Sequence, residues 1–547
     1  MARAFWKDFS AALAVTVVGA TLAWILSGGL PPIGIDDAAI TRSYAENLAR
    51  GAGYVYNVGG ERVEGSTTLL WALILTGAYL VTPTPEFIIL SFCGLLTFSA
   101  VYASFRLIRL LADSLNGSGD VAVGVAAVAL LASPGYFVWG VWSMMELALW
   151  SATVIWILLH LVIQIERAGT ARLLQALALP ALALPLIRPE GVAVAFGLIG
   201  LAMLLAPAFR RQGVVALVLV LVSFGAVTAF RVVYFGKPFP NTFYAKVSSD
   251  TMQGLTDGLK YLASFLLGAP FVEILIVGWA AAVGWCVFRL RDHAPGSRGL
   301  AVVAAAVFGF LAVYTVLGGD HFALWRFYAP IIPLLSVPAA LFAALTLPYL
   351  VGARVSMYYA TLLPAIAALF ATGWLHYYQA RFDIRKEYTL VARGLGFGHF
   401  LSGFKPLPSI GVGPAGGIAL AYDGHIYDLL GLNWTEMAHA NPVKVGMRNH
   451  ASFDKPTFWA HQPDVIATFN VPCLEGTQRF GMRAAASPLD AFAGLFYERR
   501  FQEEYVPVLF QSEGQCWPGF ARPAWLDTVG DQSGVQAVAW SDVQIRN

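Results

Sequence analysis

Eleven apolar runs of roughly membrane-crossing length fill the first 374 residues of this chain. They lie near 9–29, 87–105, 121–139, 147–163, 173–187, 191–207, 213–235, 271–290, 299–317, 328–349 and 354–374. A spanning helix needs about 20 apolar residues, and in lipid its backbone must satisfy its own hydrogen bonds. The 547-residue chain is 58% hydrophobic and 12% charged, where soluble domains carry about 25% charged residues. It therefore reads as an α-helical polytopic membrane protein with about eleven transmembrane helices. The net charge of +2 is carried by scattered basic residues, so no nucleic-acid footprint is visible. Arg3 and Lys7 before the first run mimic a signal peptide. The run is long for one and no small-residue cleavage site follows, so it reads as a retained helix.

Positive residues favour the cytoplasm. Arg3/Lys7, Arg106/Arg109, Arg167/Arg172, Arg210/Arg211, Arg289/Arg291/Arg298 and Arg354 alternate correctly if the N-terminus is inside and the twelfth candidate run, 66–82, does not cross. The polar motifs then share the outer face. From about Leu375 onward the chain turns polar and rich in Gly and Pro, with strand-like runs at Ser409–Val412, Ile418–Ala421 and Val465–Phe469. We expect residues 1–374 to form the membrane domain and 375–547 a soluble, mixed α/β, extracytoplasmic domain. Cys473 and Cys516 are the cysteine pair of that polar region. An oxidising compartment would join them, and a reducing one would leave two thiols.

Two adjacent acids, Asp36 and Asp37, follow the first run. Charges beside a membrane helix are costly unless they line a wet, functional cavity. Residues 39–50 read as an amphipathic helix, with Ile40, Tyr44 and Leu48 at four-residue spacing. Capping of that helix is the bland role for the acids, and Asp37 fits it. A catalytic role is the expectation for Asp36. Glu146 closes the aromatic stretch Trp139–Met145, where it serves either as a dipole partner for the next helix or as a further carboxylate of a metal or acceptor site. Arg188-Pro189-Glu190 is either a charged turn or part of a site. Asn241–Lys246 and Gly318–His321, followed by Arg326, fall in further outer loops. Asp320 and His321 are acceptor-site or metal-site candidates, although a lone histidine is more often structural. Arg188, Lys246 and Arg326 together have the chemistry to grip a phosphate, arginine by bidentate hydrogen bonds and lysine as a point charge.

These segments carry a resemblance. Asp36-Asp37-Ala38 with Arg42, Tyr44 and Asn47, then Gly53–Asn57 and Glu61–Gly65, resembles the first loop of bacterial GT-C superfamily glycosyltransferases. It is most similar to the branch of mycobacterial terminal arabinofuranosyltransferases. Met145-Glu146, Arg188–Gly191, Pro240–Lys246, Gly318–His321 and Asp428–Asn433 look like that branch in the same order. Met144-Met145-Glu146 departs from the Gly-Leu-Glu common among relatives.

The resemblance implies sugar transfer from a polyprenyl-phosphate donor to a cell-envelope glycan acceptor. It places this at the outer face of a bacterial plasma (inner) membrane, with arabinofuranose as the first choice of sugar. Asp36 would act as general base. Asp37 and Tyr44 would help to place the acceptor, and Arg188, Lys246 and Arg326 would stabilise the leaving phosphate. Asp36 and Glu146 would suit a divalent cation, Mg²⁺, Mn²⁺ or Ca²⁺. Some GT-C enzymes use a metal and others do not, so a metal-free site stays open. Another polyprenyl-phosphate sugar, a polyprenyl-linked lipid transporter and a non-catalytic glycan-binding scaffold also stay open. A transporter would place its charges near the bilayer midplane, whereas these motifs cluster at one face.

Overall fold

The computed structural model describes residues 2–167, 173–247, 251–269, 271–290, 294–351, 355–440, 452–467, 469, 473, 480–482, 491–529 and 534–545. Arg172, Arg291 and Arg354 of the topology reading lie outside the described residues. The chain divides into two compact units: 1–32, 86–227 and 252–385 form the first, and 33–85, 228–251 and 386–547 the second.

The first unit is helical. Helix is what apolar sequence must adopt where water cannot satisfy the backbone. Among the described residues of the chain, seven helices are long and apolar enough to cross a bilayer. They are Arg3–Leu26, Glu86–Ser114, Leu147–Glu166, Pro207–Phe235, Val272–Arg289, Ser297–Val316 and Ala329–Thr346. Gly119–Leu131 and Pro134–Trp142 form an eighth element bent by 78°. The break falls at Ser133-Pro134, where proline removes a backbone donor. Two of the expected spans, Leu173–Ile187 and Gly191–Leu205, are 15 residues each, about 22 Å of helix against a hydrocarbon core of about 30 Å. The last expected span belongs to the 47-residue helix Val355–Leu401. Two acids of this unit show how its charges can be partnered. Fully buried Asp8 accepts from Arg106 at 3.1 Å and from Arg109 at 2.6 Å. Glu166 accepts from the amides of Gly296 and Gly299 at 2.8 and 2.9 Å, holding the start of helix Ser297–Val316.

The second unit gathers distant segments around one sheet. The strands are β1 (Ile410–Val412), β2 (Ile426–Asp428), β3 (Val465–Ala467), β4 (Phe480–Met482), β5 (Val506–Ser512), β6 (Gln515–Ala521), β7 (Val535–Ala537) and β8 (Val543–Ile545). Six of them form a sheet in the order β2-β1-β3-β6-β5-β7, and β4 pairs with β8. The first three run parallel, and β5, β6 and β7 are antiparallel. The expected strand at Ile418–Ala421 is instead a short helix, Gly416–Ala419, and a turn. Gly416 and Gly417 bend the chain back from β1 here, and a Cβ at Gly417 would lie 2.4 Å from the Val391 carbonyl oxygen. Cys473 and Cys516 are joined by a disulfide. Helix Leu69–Val81 also belongs to this unit, and its 13 residues reach only about 20 Å.

Candidate active site

The first loop begins as helix one turn earlier than its apolar periodicity indicates. The helix is Asp36–Ala49, with both acids in its first turn and Ile35 as the cap residue. The acids therefore do not cap it. They lie where the helix dipole favours negative charge. Ile40 and Tyr44 are buried, and Leu48 packs against the same core. Arg42 is buried and tied down, donating to the Ile33 carbonyl at 2.9 Å and the Tyr79 hydroxyl at 3.2 Å.

Asp36 sits on the turn that leaves β1. Its Oδ1 accepts from the backbone N–H groups of Gly416 and Gly417, both at 3.0 Å. Glycine is required here, because a Cβ at Gly416 would lie 2.0 Å from the Asp36 carbonyl oxygen. The sheet order β2-β1-β3 reverses direction at β1, and the carboxyl ends of parallel strands at such a point are where α/β sheets hold ligands. In this chain a carboxylate of its own fills that place. Desolvation pushes the Asp36 carboxyl up to about 7. The two amides pull it back, while Asp37 and then Asp428 push it further up.

Asp428, at the end of β2, is fully buried. It accepts from the Leu430 amide at 3.0 Å, the Asn433 amide at 2.9 Å and the Asn433 side chain at 2.8 Å. Burial raises its carboxyl to about 6 against those donors. Asn433 Oδ1 lies 3.1 Å from the Tyr44 hydroxyl, which donates to the Val63 carbonyl at 2.8 Å and accepts from the Gly65 amide at 2.9 Å. A Cβ at Gly65 would overlap Asn433, at 1.8 Å. Asn241 ties in a third segment. Its side chain donates to the carbonyls of Gly431 and Leu432, and its amide donates to the Glu64 carbonyl at 3.0 Å. Glu64 in turn pairs through both oxygens with Arg231, and both side chains are 4% exposed. Three of the motif segments, 34–65, 240–246 and 428–433, thus meet in the second unit. Lys246 closes the short helix Asn241–Lys246 and is half-buried.

The remaining candidates belong to the first unit. Arg188 donates to Glu146 and to Glu190, each at 2.6 Å, and all three side chains are largely buried. Arg326 donates to Asp320 at 2.6 Å. Asp320 also accepts from the His321 amide at 2.9 Å. Phe327 joins the two groups. Its ring centroid is 5.3 Å from the Arg188 guanidinium carbon and 5.1 Å from that of Arg326, within cation–π range. Both arginines expected to grip a phosphate thus lie near one ring and are each paired to a carboxylate. Among the described residues, no group of three or more His, Cys, Asp or Glu is placed to hold a metal ion. Of the two residues expected to share one, Glu146 is bound by Arg188 in the first unit and Asp36 by glycine amides in the second.

Sequence reasoning did not find Gly416 and Gly417 as partners of Asp36, nor Arg231 as the partner of Glu64. The available signals were a Gly-Pro-Ala-Gly-Gly turn at 413–417 directly after a strand-like run and one arginine near the end of an apolar helix.

By sequence the chain matches no protein-family profile and no curated protein. By structure it is similar to ArnT from Cupriavidus metallidurans in the apo state. The TM-score is 0.56 at 13% identity, covering 94% of this chain and 99% of that one. The same protein bound to undecaprenyl phosphate matches with TM-score 0.50 and 13% identity, over 83% of this chain and 92% of that one. The fold is of the GT-C type. At this identity the likeness extends to the fold alone. The branch expected from the loop motifs has no counterpart in these matches.

Proposed function

We propose that the chain is a membrane glycosyltransferase that takes its sugar from a polyprenyl-phosphate donor, with Asp36 as general base. The observation carrying this reading is the setting of Asp36. It is a carboxylate fixed by two amides and tuned to about 7, with Asp428 among the charges acting on it, at the start of the first-loop helix of a GT-C-type fold. A base with a pKa near the working pH is the most effective one. The acceptor hydroxyl oxygen attacks the anomeric carbon and the bond from that carbon to the phosphate oxygen breaks. The electron pair leaves with polyprenyl phosphate, and the hydroxyl proton passes to the Asp36 carboxylate. Asp37 and Tyr44 shape the acceptor side. In the second unit Lys246 is the candidate cation for the leaving phosphate; in the first, Arg188 and Arg326 are the candidates, and they would exchange Glu146, Glu190 and Asp320 for it.

Two observations bear on the partner lipid and the compartment. ArnT, which shares the fold, has been crystallised with undecaprenyl phosphate. The Cys473–Cys516 disulfide fits an oxidising, extracytoplasmic setting at the outer face of a bacterial plasma membrane. The first-loop motifs favour arabinofuranose as the sugar and a cell-envelope glycan as acceptor. The test is transfer by purified protein from a panel of synthetic polyprenyl-phosphate sugars that includes the arabinofuranosyl donor. Transfer from none of them, by protein whose fold is intact, refutes the reading. Transfer from another sugar corrects the donor only.

A further inference from the structure

A polar cleft of about 170 Å³ opens within the second unit, away from Asp36. Its walls are the C-terminal half of helix Asp36–Ala49 with Arg50, the turn Tyr56–Val58, His399, and the segment 419–424 that follows the short glycine-led helix. The two elements that hold Asp36 in place therefore also build this cleft. Glu46 lies about 15 Å along the helix from Asp36 at 1.5 Å per residue.

The walls are pre-set. Asn47 donates to the carbonyls of Val55 and Tyr56, and Asn57 pairs with both the amide and the carbonyl of Ile426. The Tyr56 hydroxyl donates to the Ala415 carbonyl at 2.5 Å, and the Tyr422 hydroxyl donates to that of Pro408. Rigid walls reduce the ordering cost of binding. The rim offers a different chemistry. Arg50, exposed, is 2.5 Å from Glu46 and 4.0 Å from the exposed Asp423, with His399 on another wall. One guanidinium and two carboxylates leave this exposed rim with a net negative charge, which disfavours an anionic occupant. Side-chain donors and acceptors around this small space, Arg50, Glu46, Asp423 and His399, match the hydroxyls of an uncharged sugar.

We infer that this cleft is a subsite for a neutral sugar residue of the acceptor glycan, distant from the residue that receives the new sugar. The inference rests on the glycosyltransferase reading and gives its acceptor a minimum length. The test compares an arabinofuranose disaccharide with an arabinofuranose hexasaccharide as acceptors, using Arg50→Ala, Asp423→Ala and Val58→Trp. Val58 is 57% exposed at the cleft wall, so tryptophan there fills the space without touching the core. Arg50→Ala and Asp423→Ala are each expected to raise KM for the hexasaccharide about tenfold, the loss of one hydrogen bond to a charged group, Val58→Trp to raise it at least as much by filling the space, and all three to leave kcat/KM for the disaccharide unchanged. Equal effects on the two acceptors, or none, overturn the subsite. Direct binding of the hexasaccharide to purified protein decides it apart from turnover. Binding that Val58→Trp abolishes, with no transfer by the unmodified protein, supports the subsite and counts against the transferase reading. Binding that is undetectable, or that Val58→Trp leaves intact, overturns the subsite whether or not transfer occurs.

Discussion

Tyr44 and Asn433 stand 389 positions apart in the chain and meet at 3.1 Å. Through this contact, and through the bonds of Asn241 to the Gly431, Leu432 and Glu64 carbonyls, the first loop, the segment around Asn241 and the end of β2 become one polar structure. It has little slack: Gly65 has no room for a Cβ, and Asp428 is saturated by donors. A site built this way positions its acid without depending on loop order.

The rate should follow the charge on Asp36. A general base works only when deprotonated, so kcat/KM should fall as pH drops through about 7, the value to which burial raises this carboxyl. Asp36→Asn keeps the shape and removes the base, a loss of roughly 10²–10⁴-fold. Stability carries the opposite sign. A folded-state pKa above the unfolded one of 3.8 gives stability that is complete below pH 4 and lost as pH rises through 7. Asp36→Asn should flatten that decline. Wild-type turnover by the variant across the pH range removes Asp36 from the mechanism.

Asp428→Asn should move the acid limb of the pH–rate profile to lower pH. The Asp428 carboxylate is one of the charges that raises Asp36, and the amide ends that repulsion. An unmoved limb in a folded variant means that the two carboxylates are not electrostatically linked. A limb that moves upward is equally damaging.

Arg231→Met strands the Glu64 carboxylate where it is 4% exposed. Breaking a buried ion pair by removing one partner costs about 3–5 kcal/mol. The double variant Arg231→Met/Glu64→Leu should recover most of that loss. Thermal unfolding in detergent would show this. Additive losses in the double variant would mean that the pair is not the source.

Arg188 and Lys246 should separate. Arg188→Ala leaves both Glu146 and Glu190 without their guanidinium, so a lower Tm is expected alongside weaker donor use. Lys246→Ala should keep its Tm and lose about tenfold in donor kcat/KM, the size of one charge-assisted hydrogen bond. Unchanged donor kinetics in both variants ends the phosphate-grip proposal.

The N-terminus is expected inside and the second unit's sheet outside. Ser118→Cys should be shielded from an impermeant thiol reagent in intact cells, and Glu513→Cys, in an exposed turn between β5 and β6, should react. The native free thiols, Cys93 and Cys286, are buried and give little background. Reversal at either position overturns this orientation.

Hydropathy was sufficient to class this chain as a polytopic helical membrane protein, because lipid leaves an apolar segment few conformations besides helix. The same physics made Asp36 and Glu146 conspicuous, since a charge near a bilayer must be compensated or used. Helix count was less legible. The runs 173–187 and 191–207 are already short in the sequence, and as helices Leu173–Ile187 and Gly191–Leu205 stay at 15 residues each. Partners were not legible at all. Asp36 is held by amides 380 and 381 positions away, and backbone N–H groups carry no residue signature. Glu64 found Arg231 across 167 positions. Periodicity is a local property and shows which face of a helix is buried, as it did for Ile40 and Tyr44. What that face is buried against, and therefore how strongly a carboxyl is desolvated, depends on long-range packing that only the tertiary structure decides.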